Sequence, residues 1–134
     1  IWDALCAYDA AAFGSPRGPL LSRLRGRLPA AELCALREGR LAGFMLGRDG
    51  RLAAHIGPLI AEDDAVAQAL LAHALAALHG PVFLDFADAK DEVGRWLAQV
   101  GFTPARPLTR MLLGRDGRFD DPRLTYAVVG PEFG

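Results

Sequence analysis

The sequence predicts an α+β fold, a three-layer α/β arrangement with helices on both faces of a mixed, mainly antiparallel sheet. Two observations support this. Short apolar runs recur after residue 31 with turn signals between them, as in an antiparallel meander. Residues 80–102 then read as strand, loop, amphipathic helix and glycine. With 134 residues and 51% hydrophobic content, the chain is expected to form a single domain over residues 1–134.

Two helices are predicted before the first strand. Residues 1–12 are alanine-rich, and Asp9 is expected to face solvent. The second helix has apolar residues at helical spacing: Leu20, Leu21, Leu24 and Leu28. Ser15 is placed to cap this helix, and Pro29 is expected to end it because proline lacks the N–H that a helix interior needs.

A meander of three strands is predicted next, at residues 32–37, 41–46 and 52–60. Glu38-Gly39 gives a turn signal between the first two strands. Asp49-Gly50 predicts a type I′ hairpin between the second and third, because such turns need positive φ at both central residues.

The second half alternates helices and strands. A helical stripe begins at Val66 and ends near His79-Gly80, and the strand Val82–Phe86 follows. This strand should run parallel to strand 52–60, because a helix crosses between them. Two further strands are predicted, at residues 108–113 and 124–129.

Composition argues against several functional classes. A net charge of −1 gives no basic field for nucleic acid, and no apolar stretch approaches the ~20 residues that cross a membrane. No metal-ligand cluster or phosphate-binding loop motif is recognised. Cys6 and Cys34 stand alone in apolar surroundings, so we expect buried thiols and a cytoplasmic protein. Because the chain begins with Ile1 and not Met, we expect a fragment of a longer polypeptide.

The unit at residues 80–102 resembles the late strand and last helix of the GNAT acetyltransferase superfamily. An apolar strand, a short loop, an amphipathic helix and the closing Gly101-Phe102 carry the resemblance. Many members have Asn where this chain has Lys90. Many have Tyr where it has Leu97, and that Tyr often acts as general acid to the departing thiolate. The element order also matches the GNAT layout, except that the first strand is absent before Ile1.

Three short segments resemble the carboxy-terminal half of proteins with two GNAT-like domains in tandem. They are residues 55–59 (HIGPL), 106–111 (RPLTRM) and 130–134 (GPEFG). The resemblance implies that the partner is a second GNAT-like domain of the same polypeptide, or a second copy in a homodimer.

The superfamily resemblance implies acetyl-CoA as acyl donor and a small-molecule amine as acceptor. The pantetheine would pair with a strand edge exposed at the Gly57-Pro58 irregularity, and the pyrophosphate would sit on N–H groups at the next helix N-terminus. A sheet bend without a ligand remains the alternative. The implied cofactor contacts are Leu59, Ile60, Ala61, Ala65 and Val66.

The loop at that helix N-terminus is acidic and contains no glycine. Glu62, Asp63 and Asp64 would repel a pyrophosphate and could cap the helix instead. We therefore expect weak acetyl-CoA binding by this chain.

Two ionisable residues on predicted strands are candidates for chemistry. His55 leads into the irregularity and could deprotonate an amine, although a lone strand histidine can also be a packed or surface residue. Asp85 lies in an apolar strand and needs a partner, for which Arg106 or Arg110 are the candidates; it could form a buried ion pair or a substrate site.

Three functions follow for the chain, of which the first is our prediction and the others are its alternatives. It could be an acetyl-CoA-dependent N-acetyltransferase acting on an amine, or one half of such an enzyme. It could be a degenerate, non-catalytic GNAT-like half that binds a ligand or packs against a catalytic domain. It could also be an unrelated α+β domain used in oligomer assembly.

Overall fold

The computed structural model describes residues 1–133 and shows one five-stranded sheet with helices on both faces. The helices and strands, in chain order, are α1 (Trp2–Phe13), α2 (Gly18–Leu24), β1 (Leu33–Arg37), β2 (Arg40–Arg48), β3 (Ala54–Ala61), α3 (Asp64–Ala77), β4 (Val82–Phe86), α4 (Asp91–Gln99) and β5 (Thr125–Val128). Single-turn 3₁₀ helices lie at Pro29–Ala31 and Pro131–Phe133. Gly134, the last residue of the segment 130–134, lies outside the described residues.

The sheet is mixed and mainly antiparallel, as predicted. Its order is β1-β2-β3-β4-β5, and β5 also pairs with β3. Within residues 1–133, the one parallel pairing joins β3 and β4, with Ala54 opposite Val82 and Ile56 opposite Leu84. The predicted parallel pair is confirmed, and its cause is the crossover through α3, since a short hairpin cannot join parallel strands.

A separate apolar core lies on each face of the sheet. The larger core joins α3 and α4 to one face, where Val93 and Leu97 of α4 pack with Leu71 of α3. The smaller core joins α1 and α2 to the other face through Leu5 and Leu21. Alternating strand residues supply both cores, because successive side chains of a strand point to opposite faces.

The tight hairpin of the meander is not at the predicted place. Glu38 and Gly39 have φ of 51° and 80°, as a type I′ turn requires, and they join β1 directly to β2. The prediction of a type I′ turn at Asp49-Gly50 is wrong: Gly50 has no positive φ, and residues 49–53 form a longer connection. Asp49 is instead engaged by Arg27, whose Nε lies 2.7 Å from Asp49 Oδ1.

The strand predicted at residues 108–113 does not form. Met111 and Leu113 are 89% and 100% exposed, and no regular element lies between α4 and β5. An ion pair attaches this segment to the residues before β5: the guanidinium of Arg110 lies 3.0 Å from the buried Asp120 carboxylate. An apolar run becomes a strand only where a partner edge is available, and the sequence pattern does not show that edge.

Three local predictions near the amino terminus and one for a thiol are also wrong. Asp9 is fully buried, because Arg17 binds it with two nitrogens at 2.8 Å. Arg17, and not Ser15, occupies the N-cap of α2 and makes no side-chain cap there. That helix ends at Leu24, before Pro29, which begins a 3₁₀ turn. Cys34 is exposed because it lies on the outer strand β1.

Candidate functional site

Strand β3 has a different partner in each half. Its first residues, Ala54 to Ile56, pair with β4, whereas Leu59 and Ile60 pair with β5. Strands β3 and β4 therefore separate near Gly57-Pro58, where the sequence predicted an irregularity. Strand β5 fills the separation, since it also pairs with the end of β4.

The contact between β5 and β3 is close at Gly57. A Cβ atom on Gly57 would lie 2.1 Å from the carbonyl oxygen of Val128, a distance that real Cβ atoms do not reach. Backbone hydrogen bonds fix β5 on both sides, from Ala61 N to Leu124 O at 3.0 Å and from Ala87 N to Tyr126 O at 2.8 Å. The strand edge at the irregularity is thus occupied by the chain itself.

The residues named as cofactor contacts on β3 lie inside this arrangement. Leu59, Ile60 and Ala61 have buried side chains, and each pairs with a residue of β2. Leu59 and Ile60 pair with β5 as well. Their backbone groups are therefore engaged in the sheet from both sides.

The amino terminus of α3 is capped by its own acidic loop. The N–H of Val66 donates to Asp63 Oδ1 at 2.9 Å, and this hydrogen bond, with the neighbouring Arg37, lowers the pKa of Asp63. Ala65 is exposed beside it. Capping was the competing interpretation of this loop, and the Asp63 cap confirms it.

Two arginines neutralise much of the acidic loop. Arg37 contacts both Glu62 and Asp63, and Arg40 lies 2.7 Å from Glu62. These side chains come from the ends of the β1–β2 hairpin, so the tight turn at residues 38–39 places both guanidinium groups beside the loop. The pairs are partly exposed and individually weak.

The third acid of the loop connects α3 to β5. Tyr126 O–H donates to Asp64 Oδ1 at 2.6 Å, and burial, followed by this hydrogen bond, raises the pKa of Tyr126. The ammonium of Lys90 lies 4.1 Å from the Tyr126 ring centroid and donates to the carbonyl of Arg123 at 2.7 Å. Burial lowers the pKa of Lys90. The three acids of the loop, Glu62, Asp63 and Asp64, therefore all have partners within the chain.

A second group of polar residues lies on the other side of the sheet, at the beginning of β3. His55 Nε2 is 3.2 Å from Asp85 Oδ2, yet these two atoms are buried and neither makes a well-aligned hydrogen bond. The predicted partners of Asp85 are wrong. Arg110 binds Asp120, and Arg106 is exposed, because their segment does not join the sheet.

Arg48 and Glu132 complete this group, which we call the His55 cluster (Arg48, His55, Asp85 and Glu132). Arg48 donates from one nitrogen to the carbonyl of Val129 at 2.8 Å. Its other terminal nitrogen lies 3.4 Å from His55 Nδ1 and 3.5 Å from Glu132.

The arginine determines the state of the imidazole. Because a guanidinium can only donate, Nδ1 of His55 faces it as an acceptor, which assigns the ring proton to Nε2, toward Asp85. Burial, followed by the charge of Arg48, lowers the pKa of His55, although Asp85 opposes the shift. His55 is therefore a neutral imidazole at neutral pH.

Sequence reasoning missed Arg48, Glu132 and a neighbouring aromatic residue, Phe83. Arg48 is opposite His55 in the β2–β3 ladder, and Phe83 is opposite His55 in the β3–β4 ladder. Phe83 is 52% exposed. Strand register would have found these residues, but it depends on where the turns lie, and the β2–β3 turn was assigned wrongly.

Comparison with known families gives a match over most of the chain. A family model described as an acetyltransferase (GNAT) domain matches residues 5–127. The chain belongs to the GNAT acetyltransferase superfamily. Among curated proteins and among solved structures, no significant match was found. Within residues 1–133, no helix is long and apolar enough to cross a membrane, and no cluster of potential ligands could hold a metal ion.

GNAT domains use acetyl-CoA, and the residues of this chain do not fit it well. The strand edge near Gly57 is occupied by β5. The first turn of α3 is capped by Asp63, and two more carboxylates surround it. Leu97 of α4 is 5% exposed and packs in the larger core. Many members of the superfamily carry a tyrosine at this position. An anionic cofactor would meet negative charge and engaged N–H groups here.

Proposed function

We propose that this domain is one half of an acetyl-CoA-dependent N-acetyltransferase that moves acetyl to an amine, and that it is the half that does not itself hold acetyl-CoA. One observation carries the proposal: β5 fills the separation between β3 and β4, and its backbone pairs with both strands. The acyl donor is then bound by a second GNAT-like domain, in the same polypeptide or in a second copy, and the enzyme is cytoplasmic.

The charge at the α3 terminus supports the same conclusion. A helix amino terminus attracts an anion through its unpaired N–H groups and partial positive charge. Here Asp63 accepts from the N–H of Val66, and Asp64 accepts from Tyr126. Displacing these carboxylates would leave Tyr126 without its acceptor, so acetyl-CoA would have to disrupt the core contact between α3 and β5.

Isothermal titration of the chain with acetyl-CoA tests the proposal. We expect no saturable binding in the micromolar range. Micromolar affinity with one site per chain would overturn it, because β5 would then have to leave the separation readily.

A double variant separates the effect of charge from that of β5. Glu62→Gln with Asp63→Asn removes two negative charges, keeps a capping side chain at position 63 and frees Arg37 and Arg40. We expect this variant to remain without micromolar affinity, because β5 is unchanged. Strong binding by the variant alone would show that the acids, and not β5, exclude the cofactor.

A second candidate function is that this domain is itself catalytic, with Nδ1 of His55 accepting the proton of the amine in place of its contact with Arg48. The contact between His55 and Asp85 favours it, because a carboxylate beside an imidazole orients the ring and stabilises its protonated form. Acetyl transfer to a panel of amines tests it. If the domain is catalytic, His55→Ala should lose about 100-fold in rate at matched folding. The absence of turnover by the parent chain would favour the first candidate.

A further inference from the structure

We propose that the His55 cluster, together with the exposed ring of Phe83, binds a primary ammonium group carried on an aromatic or apolar body. The proposal rests on the proposed function and deepens it: the half without acetyl-CoA supplies the binding site of the amine. Binding can be measured without any acyl donor, so it can fail or succeed independently of the cofactor result.

The charge balance of the cluster favours a cation. Asp85 and Glu132 contribute two negative charges, Arg48 contributes one positive charge, and His55 is neutral. Arg48 is already used, since it donates to the carbonyl of Val129 and faces His55 Nδ1. An anionic ligand would therefore find two carboxylates and an engaged guanidinium, whereas a cation finds a net negative site.

The carboxylate of Asp85 has unused hydrogen-bonding capacity. Its Oδ2 atom is buried without a well-formed hydrogen bond, and so is His55 Nε2 at 3.2 Å. A carboxylate has about four lone-pair sites, so it can accept from an ammonium and from the imidazole N–H at the same time. The Asp85 side chain is 20% exposed, so a donating ligand can reach the carboxylate while Oδ2 stays beside His55.

Glu132 is free to contribute a second acceptor. It lies on the carboxy-terminal 3₁₀ turn, its side chain is 56% exposed, and its contact with Arg48 is long, at 3.5 Å. Asp85 and His55, in contrast, are held on neighbouring strands. The site thus combines a fixed carboxylate with a movable one.

Phe83 supplies the surface for the body of the ligand. It is two residues before Asp85 on β4 and opposite His55 in the parallel ladder, so its ring points to the same face as the cluster. About half of the surface of Phe83 is exposed although the residue lies within the sheet. An exposed aromatic face beside carboxylates attracts a cation electrostatically and buries the apolar part of its carrier.

The test is an NMR titration of the full chain with 2-phenylethylamine at neutral pH, beside 2-phenylethanol and 3-phenylpropanoate. These probes share the aromatic body and differ in charge. We expect saturable shifts at residues of β3 and β4 with the amine, and binding at least about 10-fold weaker for the alcohol and the carboxylate. Equal binding of the amine and the alcohol, or no saturable shift with the amine, would overturn the proposal.

Variants assign the site. Asp85→Asn should weaken amine binding about 10-fold or more, Phe83→Leu several-fold, and Glu132→Gln about threefold. Glu92→Gln removes a carboxylate of the same type from exposed α4 and should change nothing. Circular dichroism checks the fold of each variant, and Glu132→Gln and Phe83→Leu decide the matter should Asp85→Asn fail to fold. Unchanged affinity in folded Asp85→Asn, or in both other site variants, would sink the assignment.

Discussion

The polar groups beside the two halves of β3 differ in how completely they are hydrogen-bonded within the chain. In the second half, which we call the closed end (Gly57–Ala61 with β5 and the start of α3), acids and backbone groups have internal partners, such as Asp64 with Tyr126 and Asp63 with Val66. In the first half, at the His55 cluster, the buried atoms His55 Nε2 and Asp85 Oδ2 lie 3.2 Å apart and make no well-aligned hydrogen bond within residues 1–133. The polar groups of the closed end are therefore satisfied by contacts that stabilise the fold, whereas those of the cluster are satisfied only in part.

The difference matters because folding selects against unpaired buried polar groups. Such groups cost free energy, and at the His55 cluster two of them belong to neighbouring ionisable side chains, an arrangement typical of a site used outside folding. In a GNAT domain the separation between these strands would be expected to serve the acyl donor, yet here β5 of the same chain occupies it. The ionisable groups that lack well-aligned hydrogen bonds lie instead in the His55 cluster, on the opposite face of the sheet.

The largest effect on this contrast is expected at Gly57. Gly57→Ala places a methyl group 2.1 Å from the backbone of Val128, and backbone atoms in a paired strand cannot move away cheaply. We expect the free energy of unfolding to fall by about 3 kcal/mol or more, measured by urea denaturation. Gly117→Ala is the control, since nothing lies within 4 Å of its added methyl. A loss under about 1 kcal/mol would mean that β5 does not press against β3 as described.

A smaller loss is expected when the link between β5 and α3 is removed. Tyr126→Phe deletes the 2.6 Å hydrogen bond to Asp64, which should cost about 1.5–3 kcal/mol because the acceptor is charged. Tyr8→Phe is the matched control, since its hydroxyl reaches the neutral carbonyl of Ala42 at only 3.3 Å. Equal losses in the two variants, measured by the same denaturation, would contradict a special role for the Asp64 contact.

The architecture could be predicted because it depends on local patterns. The helical stripes of α3 and α4 and the apolar run at Val82–Phe86 fix the crossover, and the crossover fixes the parallel pair. The strand predicted at residues 108–113 does not form, for the opposite reason. Its pattern resembled that of a strand, but whether a partner edge exists is a property of the whole sheet.

The site could be predicted only in part. His55 and Asp85 were both identified as unusual strand residues, but their pairing with each other was not, because it requires the register of β3 against β4. The place of Arg48 opposite His55 could not be predicted either, because it depends on the register of β2 against β3. That register differs from the predicted one, since the tight turn lies at Glu38-Gly39 and not at Asp49-Gly50. Residue types thus pointed to candidates, and strand register brought them together.

At the cluster itself, a substitution should leave stability nearly unchanged. Asp85→Asn keeps the shape of the side chain and removes a charge whose buried oxygen makes no good hydrogen bond. We expect a change in the free energy of unfolding within about 1 kcal/mol, of either sign, by urea denaturation. A loss of about 3 kcal/mol or more would show that Asp85 is a structural hydrogen-bond partner of His55, and it would remove the contrast between the two halves of β3.

The smallest effect is the pH dependence that His55 gives to stability. Its pKa is lowered in the folded state from the ordinary 6.5, by burial and then by Arg48, while Asp85 and Glu132 act in the opposite direction. The unfolded chain therefore binds more protons than the folded chain between the lowered and the ordinary pKa. Stability is full above pH 6.5 and falls as the pH decreases through that window, at no more than about 1.4 kcal/mol per pH unit.

His55→Gln should remove this component, so that the parent loses more stability than the variant when urea denaturation is repeated from pH 7 down to about pH 5. His79→Gln, which alters an exposed imidazole, should follow the parent curve. Comparing the difference between curves cancels the carboxylates that titrate in every variant. Parallel curves for the parent and His55→Gln would mean that the surroundings of His55 do not lower its pKa in the folded state.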